Sequence, residues 1–418
     1  MEENQKKSGR HYAWTILLVC CCLNASALGL TNTNGIFYAA ICEDLGMMMS
    51  ELTVHTIVCG LVSVVTLLFV DKIFRKYPIR PVLIGSLLVY HLSYMSMAFF
   101  SKSIEWCIAS VFTGLSGAFL LYVPVPLLLN NWFVKKKKLA LSICFVASGF
   151  SGIVTNLLLG VIVTRFGWRD AYIFRGILLL VMSLPVMFLV KKTPQEMGLS
   201  AYGALDTEPE EEKHAQKLMG ESAEKHTFEE RRIKYIFAIY LAITFNLGCA
   251  MVTQLPNYAN SLGLGLLLGS YLTSIAMAGN IISKAAMGPA VEKKGILGSG
   301  AVIAGLIAFG FFVIAAGFQS TPVIMAVAFT TGITACSNTL IIPNLLDTFV
   351  TGDNYVHMLS RCSMGTMLAG AFSAVLSSAL YDGFGDYRPV FLVYGILETV
   401  NIIVLLTVFR TKSRKKPA

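Results

Sequence analysis

Lys284 lies in LLLGSYLTSIAMAGNIISKAAMGPAV, residues 266–291, an apolar stretch with no other charge. A cation inside a bilayer is costly and is kept where it faces a protein interior, a water-filled cavity or an anionic partner. Lysine brings a compact point charge with three donors, chemistry suited to neutralising an anion. The bland alternative is that Lys284 snorkels to the nearer membrane face or pairs with a carboxylate. Asn280 stands one turn before it on the same helical face, a hydrogen-bonding group that cannot titrate. As a plain packing residue Asn280 is equally well accounted for. Glu398 is mid-span in the last apolar run; it is either a proton carrier or the structural partner of a cation. Two further intramembrane cations are Arg361, which opens the eleventh run, and Arg175 in the sixth, where a snorkelling or structural role is expected. The first run carries Asn24, Thr31, Asn32 and Asn34, and the seventh Asn246, Gln254 and Asn257. Such residues face a bundle interior, as helix-packing glue or as hydrogen-bond partners of a solute.

Other chemistry is thin. His55, His91 and His357 are single histidines without a partner at metal-ligand spacing, and buried or interfacial structure is expected of each. The 10 cysteines lie almost wholly in apolar runs and read as small buried hydrophobes. No nucleophile–base set and no phosphate-cradling glycine loop is present, so the expectation is no cofactor and no enzyme activity. The net charge of +9 is not a nucleic-acid signal, because no basic face is interleaved with exposed aromatics.

These residues need elements to position them, and composition supplies the class. The hydrophobic fraction is 55% and the charged fraction 14%, too apolar for a soluble chain of 418 residues. Twelve apolar runs appear, at 13–38, 52–71, 81–100, 104–130, 139–164, 170–190, 233–257, 266–291, 296–317, 321–346, 356–381 and 388–410. Each is long enough to cross a bilayer as a helix, and continuous runs exclude a barrel's short alternating segments. Most of the 33 Lys and Arg then fall in alternate connections: Lys72 to Arg80, Lys135 to Lys138, Lys191 to Lys234, Lys293 with Lys294, and both termini. The opposite loops hold Lys102, Arg165, Arg169 and Arg388. The positive-inside rule predicts both termini in the cytoplasm, in what is expected to be the cell membrane.

Residues 191–232 are polar, with an acidic cluster from Asp206 to Glu212, and predict a cytoplasmic linker between two six-helix bundles, 1–190 and 233–418. The halves echo each other: DKIFRKYPIR follows the second run and GPAVEKKGIL the eighth. Such a repeat places a central site at the midplane between halves. Gly149 and Gly152, with Ala147, Ser148 and Ser151, give the fifth run a small face for close helix approach, and Trp132 and Trp168 are expected as interface anchors.

Gly288, Ala290, Glu292, Lys293 and Gly295 resemble the loop motif of the major facilitator superfamily. The first loop departs from it, with Asp71 where glycine is usual, Arg75 where aspartate is usual and Pro78 for the second glycine. NNWFVKKKKLALSI, ASGFSG, FGWRDAY, KKTPQEMGLSAYG and YDGFGDYRPVF, in that order, resemble its oxalate/formate antiporter and monocarboxylate porter branch. The resemblance implies a twelve-helix all-α membrane fold and transport of a small carboxylate by alternating access. It also implies that Lys284, four residues before the loop glycine, takes the place of a substrate-binding cation that is more often arginine. Arg361 is near a second such cation in the eleventh helix, and Asn280 stands where related proton symporters often carry an acid.

The expectation is therefore a secondary carrier, antiporter or uniporter/symporter, for a small organic anion. Lys284 and Arg361 would neutralise the solute, with Asn280, Asn24, Thr31, Asn32 and Gln254 orienting it and Glu398 the candidate for proton coupling. Its partners are the solute and membrane lipid, with no obligate protein partner. The rivals are a neutral-solute, sugar or drug porter of the same fold and, further off, a membrane enzyme or sensor.

Overall fold

The computed structural model describes residues 11–31, 33–121, 123–134, 136–203, 228–346, 348–350 and 353–409. Asn32, the acidic cluster of the linker and the two chain ends lie outside the described residues, as does the side chain of His357. Among the described residues every span is helical, and the one β-type contact is an isolated bridge, Phe133 to Tyr202.

Span one is α1 (Ala13–Thr31) continued by α2 (Gly35–Leu45); spans two and three are α3 (Met49–Lys76) and α4 (Ile79–Ser96). Span four is α5 (Ser103–Leu120) continued by α6 (Pro124–Trp132), and spans five and six are α7 (Lys137–Phe166) and α8 (Trp168–Leu189). After the linker, span seven runs through α9 (Phe228–Cys249), a 3-10 turn (Ala250–Gln254) and α10 (Leu255–Ser261). Spans eight and nine are the two arms of α11 (Gly265–Ala315), which bends at Gly295. Span ten is α12 (Thr321–Cys336), a π turn (Ser337–Ile341) and α13 (Ile342–Leu346); spans eleven and twelve are α14 (Asp353–Phe384) and α15 (Arg388–Val408).

Spans one, four, seven and ten are thus each broken, one in every three. Three of the breaks have a local cause. Pro124, Pro256 and Pro343 each stand in the first turn of a second segment, where a missing N–H costs nothing. The turn between spans eight and nine needs a glycine, because Gly295 has φ 70° and ψ 170°. The equivalent turn of the first half takes Tyr77 and Pro78 in extended conformation instead. That accounts physically for its departure from the glycine-bearing loop.

Buried apolar residues divide along the chain. One core draws its buried members from Ala13 to Val190, and others from Ala238 to Phe409. Between these halves α7 packs on the first arm of α11, and α3 on α14. At the first seam Gly149 leaves no room for a Cβ, which would sit 2.8 Å from Ile281. The small face foreseen on span five is therefore used for close approach.

Two expectations shift. Trp132 is fully buried, and its Nε1 donates to the Lys191 carbonyl at 3.0 Å, while Tyr202 N donates to the Trp132 carbonyl. Residues 191–203, the start of the expected cytoplasmic linker, are docked on the end of span four. Trp168 is 4% exposed and donates to Asp44, which also takes Arg169. Both indoles serve as latches inside the protein, where one N–H finds a partner and the ring is desolvated.

Candidate functional site

A cavity of about 300 Å³ lies between the halves, against the breaks in spans one and seven. From the first half come Thr31, Asn34, Tyr38, His55, Tyr90 and Tyr94; from the second Asn246, Cys249, Thr253, Met277, Asn280 and Ala371. Its wall is uncharged, with hydrogen-bonding groups set among apolar ones, the usual build of a small-molecule site. Two of its polar atoms have no partner among the described residues, Asn280 Oδ1 and His55 Nδ1. His55 is 6% exposed. Such orphaned buried atoms are costly unless a solute or water satisfies them.

Lys284 stands one turn from Asn280 on the first arm of α11, beyond the lining residues. Its Nζ lies 5.4 Å from the centroid of the Phe145 ring on α7, across the seam between halves. Among the described residues no carboxylate comes within ion-pair distance of it. The titratable groups it interacts with are the thiols of Cys249, which lines the cavity, and Cys336.

Arg175 is the second intramembrane cation beside the cavity, and it is fully buried. It donates to Asn34 Oδ1 at 2.6 Å, and its guanidinium lies 4.7 Å from the Tyr94 ring, 5.1 Å from Phe37 and 5.7 Å from Tyr172. Asn34 and Tyr94 are cavity wall, so Arg175 backs that wall from behind. A snorkelling or structural role was expected of it; fully buried, it does not snorkel, and its place behind the cavity was not foreseen.

The other candidates scatter. Thr31 is on the wall, its hydroxyl turned to the Leu28 carbonyl. Asn24 is buried off the cavity and donates to the Cys144 carbonyl at 3.3 Å, tying α1 to α7. Gln254 is buried off the cavity too; its Oε1 accepts from Asn257 and Tyr387. Arg361 is exposed on α14, nearer the end of the bundle that carries the basic loops. Glu398 is 1% exposed and reaches Asn401 Nδ2 at 3.1 Å, while Asn401 accepts from Thr244. No cation comes within ion-pair distance of Glu398 among the described residues. Gly248 makes room for it: a Cβ there would lie 2.7 Å from Glu398 Oε1. The carboxylate thus packs against Gly248, the residue before cavity-lining Cys249 on α9.

Sequence reasoning missed His55, Tyr38, Tyr90 and Tyr94 as wall residues. Spacing carried a signal: Tyr90 and Tyr94 are one turn apart, and Tyr38 and His55 bracket a loop. The wall forms through contacts between spans, which local hydropathy cannot show. His91 does behave as foreseen, buried with its Nε2 3.1 Å from Ser183 Oγ.

At the end away from the basic loops the halves close on each other. Gly35 lies against the Thr253 carbonyl so tightly that no side chain fits. Ala39 N donates to Asn257 Oδ1 at 3.1 Å, Ser50 N to Asp382 Oδ2 at 2.8 Å, and Tyr387 OH lies 3.4 Å from Met49 Sδ.

Comparison with known proteins agrees with this architecture. The family model described as Major Facilitator Superfamily matches residues 19–312 and 299–418. A Saccharomyces cerevisiae protein named "Probable transporter MCH2" is 25% identical over 306 residues, 70% of this chain and 59% of that protein. A "Probable hexose phosphate transport protein" of Chlamydia pneumoniae is 28% identical over 130 residues, 30% of this chain and 29% of that protein. The chain thus matches less than two thirds of the length of these relatives. The crystal structure of a D-xylose-proton symporter superposes with a TM-score of 0.71 at 16% identity, covering 95% of this chain and 97% of that one. At that identity the likeness speaks for the fold alone.

Proposed function

The chain belongs to the Major Facilitator Superfamily, and we propose on that premise that it is a secondary carrier for a small organic anion, a mono- or dicarboxylate. The basic loops face the cytoplasm, by the positive-inside argument, and the six-helix halves rock about the central cavity. The observation that carries the reading is Lys284. It is a half-buried cation at the seam between halves, one turn from cavity-lining Asn280, without a carboxylate in ion-pair range among the described residues. A charge so placed is costly until an anion meets it.

In this reading the anion sits against Asn280 and draws the Lys284 ammonium toward the cavity, while His55, Asn34 and Thr31 take its remaining hydrogen bonds. Arg361, exposed toward the basic end, meets the anion on its way to or from the cytoplasm. Asn280 cannot carry a proton, which favours exchange or uniport. Glu398 is the residue to examine if flux proves proton-driven.

A second reading has support of its own. The cavity wall is uncharged, and relatives include proteins named for hexose phosphate transport. A neutral or phosphorylated solute held by Asn34, Asn246, Asn280 and the tyrosines fits that wall. Purified protein in liposomes decides between them, through counterflow of labelled carboxylates and sugars by wild type, Lys284→Ala and Lys284→Arg. Saturable carboxylate exchange that Lys284→Ala abolishes supports the anion reading. Carboxylates that fail to move, or transport by Lys284→Ala at the wild-type rate, overturn it.

A further inference from the structure

A second concavity, of about 350 Å³, lies at the basic end of the first half and is lined by residues 75–80, 190–192 and 196. It is formed where α3 ends, α4 begins and the chain leaves α8. Its walls carry Arg75, Lys76, Arg80, Lys191 and Lys192 against one carboxylate, Glu196. Two ties hold the wall together. Lys192 Nζ donates to the Phe74 carbonyl at 2.7 Å, and Arg80 Nε to the Met187 carbonyl at 3.0 Å. Arg80 spends one donor in this way and keeps its two terminal amino groups. Lys76 lies over the Tyr77 ring, 5.4 Å from its centroid, and Tyr77 is half exposed.

Position decides what fits. The concavity is at the level where three spans end, so it opens at the headgroup layer of the leaflet on the basic side. Toward the bilayer centre, Phe69 on α3 and Phe188 on α8 stand exposed at 50% and 66%, apolar surface suited to acyl chains. Like charges gathered in one hollow repel, and an anion with several acceptor oxygens relieves that repulsion through charge-assisted hydrogen bonds. A phosphate group meets this chemistry, and the flanking phenylalanines favour one that carries chains. We propose that this hollow binds the phosphate of an anionic glycerophospholipid. Through Lys191 and Lys192 the lipid clamps the docked start of the linker, residues 191–203, to the first half. The site is independent of the transported solute.

The test uses the full chain in nanodiscs, with phosphatidylglycerol titrated into phosphatidylcholine and bound lipid counted by native mass spectrometry. The variant is Lys76→Gln with Lys191→Gln, two side chains that make neither tie. Its control is Lys293→Gln with Lys294→Gln, an equal charge change at exposed positions of the other basic loop. Wild type retains one phosphatidylglycerol preferentially, and the Lys76/Lys191 variant loses that preference by about tenfold or more, the order expected for two cations at a membrane surface. The control keeps it, and Lys76→Arg with Lys191→Arg restores it. Equal losses in variant and control would reduce the hollow to general surface charge and overturn the site. A further arm adds sn-glycerol 3-phosphate to wild-type protein in the nanodiscs that contain phosphatidylglycerol. Displacement of phosphatidylglycerol by this soluble phosphate at micromolar levels would overturn the lipid as occupant.

Discussion

The two halves set a cation beside the same cavity in opposite ways. Arg175 in the first half is enclosed by Phe37, Tyr94 and Tyr172 and bonded to Asn34. Lys284 in the second has, among the described residues, one ring near it, Phe145, and interacts with the thiols of Cys249 and Cys336. A guanidinium is planar, weakly hydrated and stacks on aromatic faces, so a ring cage can hold it permanently. An ammonium is a strongly hydrated point charge, and such surroundings leave it short of acceptors. The lesson is that charge in a membrane span is not one signal. The caged cation builds the wall, and the uncaged one is the candidate to meet a solute.

Breaking the cage tests this with the largest effect. Arg175→Met removes the Asn34 bond and three cation–ring contacts, and should cost on the order of 3 kcal/mol of stability. The measurement is thermal unfolding in detergent. Arg175→Lys should recover less than half of the loss, since an ammonium cannot stack as the guanidinium does. A wild-type melting point in Arg175→Met would end the contrast.

Lys284 should behave in the reverse sense. Lys284→Met removes a half-buried charge with no described acid partner and fills the space with a chain of similar length. Stability should hold or rise by about 1 kcal/mol, while carboxylate exchange falls by tenfold or more. Melting and counterflow on the same preparation give both numbers. A destabilised Lys284→Met would make the lysine a structural group like Arg175.

How much of this was legible in the chain follows from the range of each interaction. The twelve spans were readable because a bilayer imposes length and hydropathy on every one of them separately. Lys284, Asn280 and Glu398 were readable as exceptions to that rule. The cage was not: Asn34, Phe37, Tyr94, Tyr172 and Arg175 come from three spans, and aromatic residues in a span look like any other apolar residue until they are packed. Trp132 misled for a related reason. A tryptophan at a span end is a good interface anchor unless a later segment folds over it, as Lys191 does. Asn24 and Gln254 show that polar residues in a span find the interior without finding the cavity.

The second half has a buried carboxylate, and among the described residues the first half has none. Glu398 is held by Asn401, itself bonded to Thr244, and packs where Gly248 leaves space beside Cys249. Glu398→Gln keeps the shape and the Asn401 contact, so folding and solute counterflow should stay within about twofold of wild type, a change under 0.5 kcal/mol. If a proton is carried at Glu398, uphill uptake driven by an imposed pH gradient should vanish in the same variant. Gradient-driven uptake at the wild-type level in Glu398→Gln would leave the residue a packing group.

A shift in conformational balance, without loss of stability, is expected at the end where the halves close. Three contacts there are polar or tight: Asn257 with the Ala39 amide, Asp382 with the Ser50 amide, and Gly35 with the Thr253 carbonyl. Each hydrogen bond is made in the closed arrangement and must break when the halves part at that end. Losing one therefore biases the equilibrium by about 1 kcal/mol, roughly fivefold in population. Asn257→Ala and Asp382→Ala should each raise the rate at which a membrane-impermeant maleimide labels Thr253→Cys, by that factor, without lowering the melting point appreciably. Gly35→Ala should act more strongly than either, because its methyl group has no space against the Thr253 carbonyl. Labelling unchanged in all three would mean that the seal rests on the packing of α7 with α11 and of α3 with α14, and that these polar contacts follow closure without driving it.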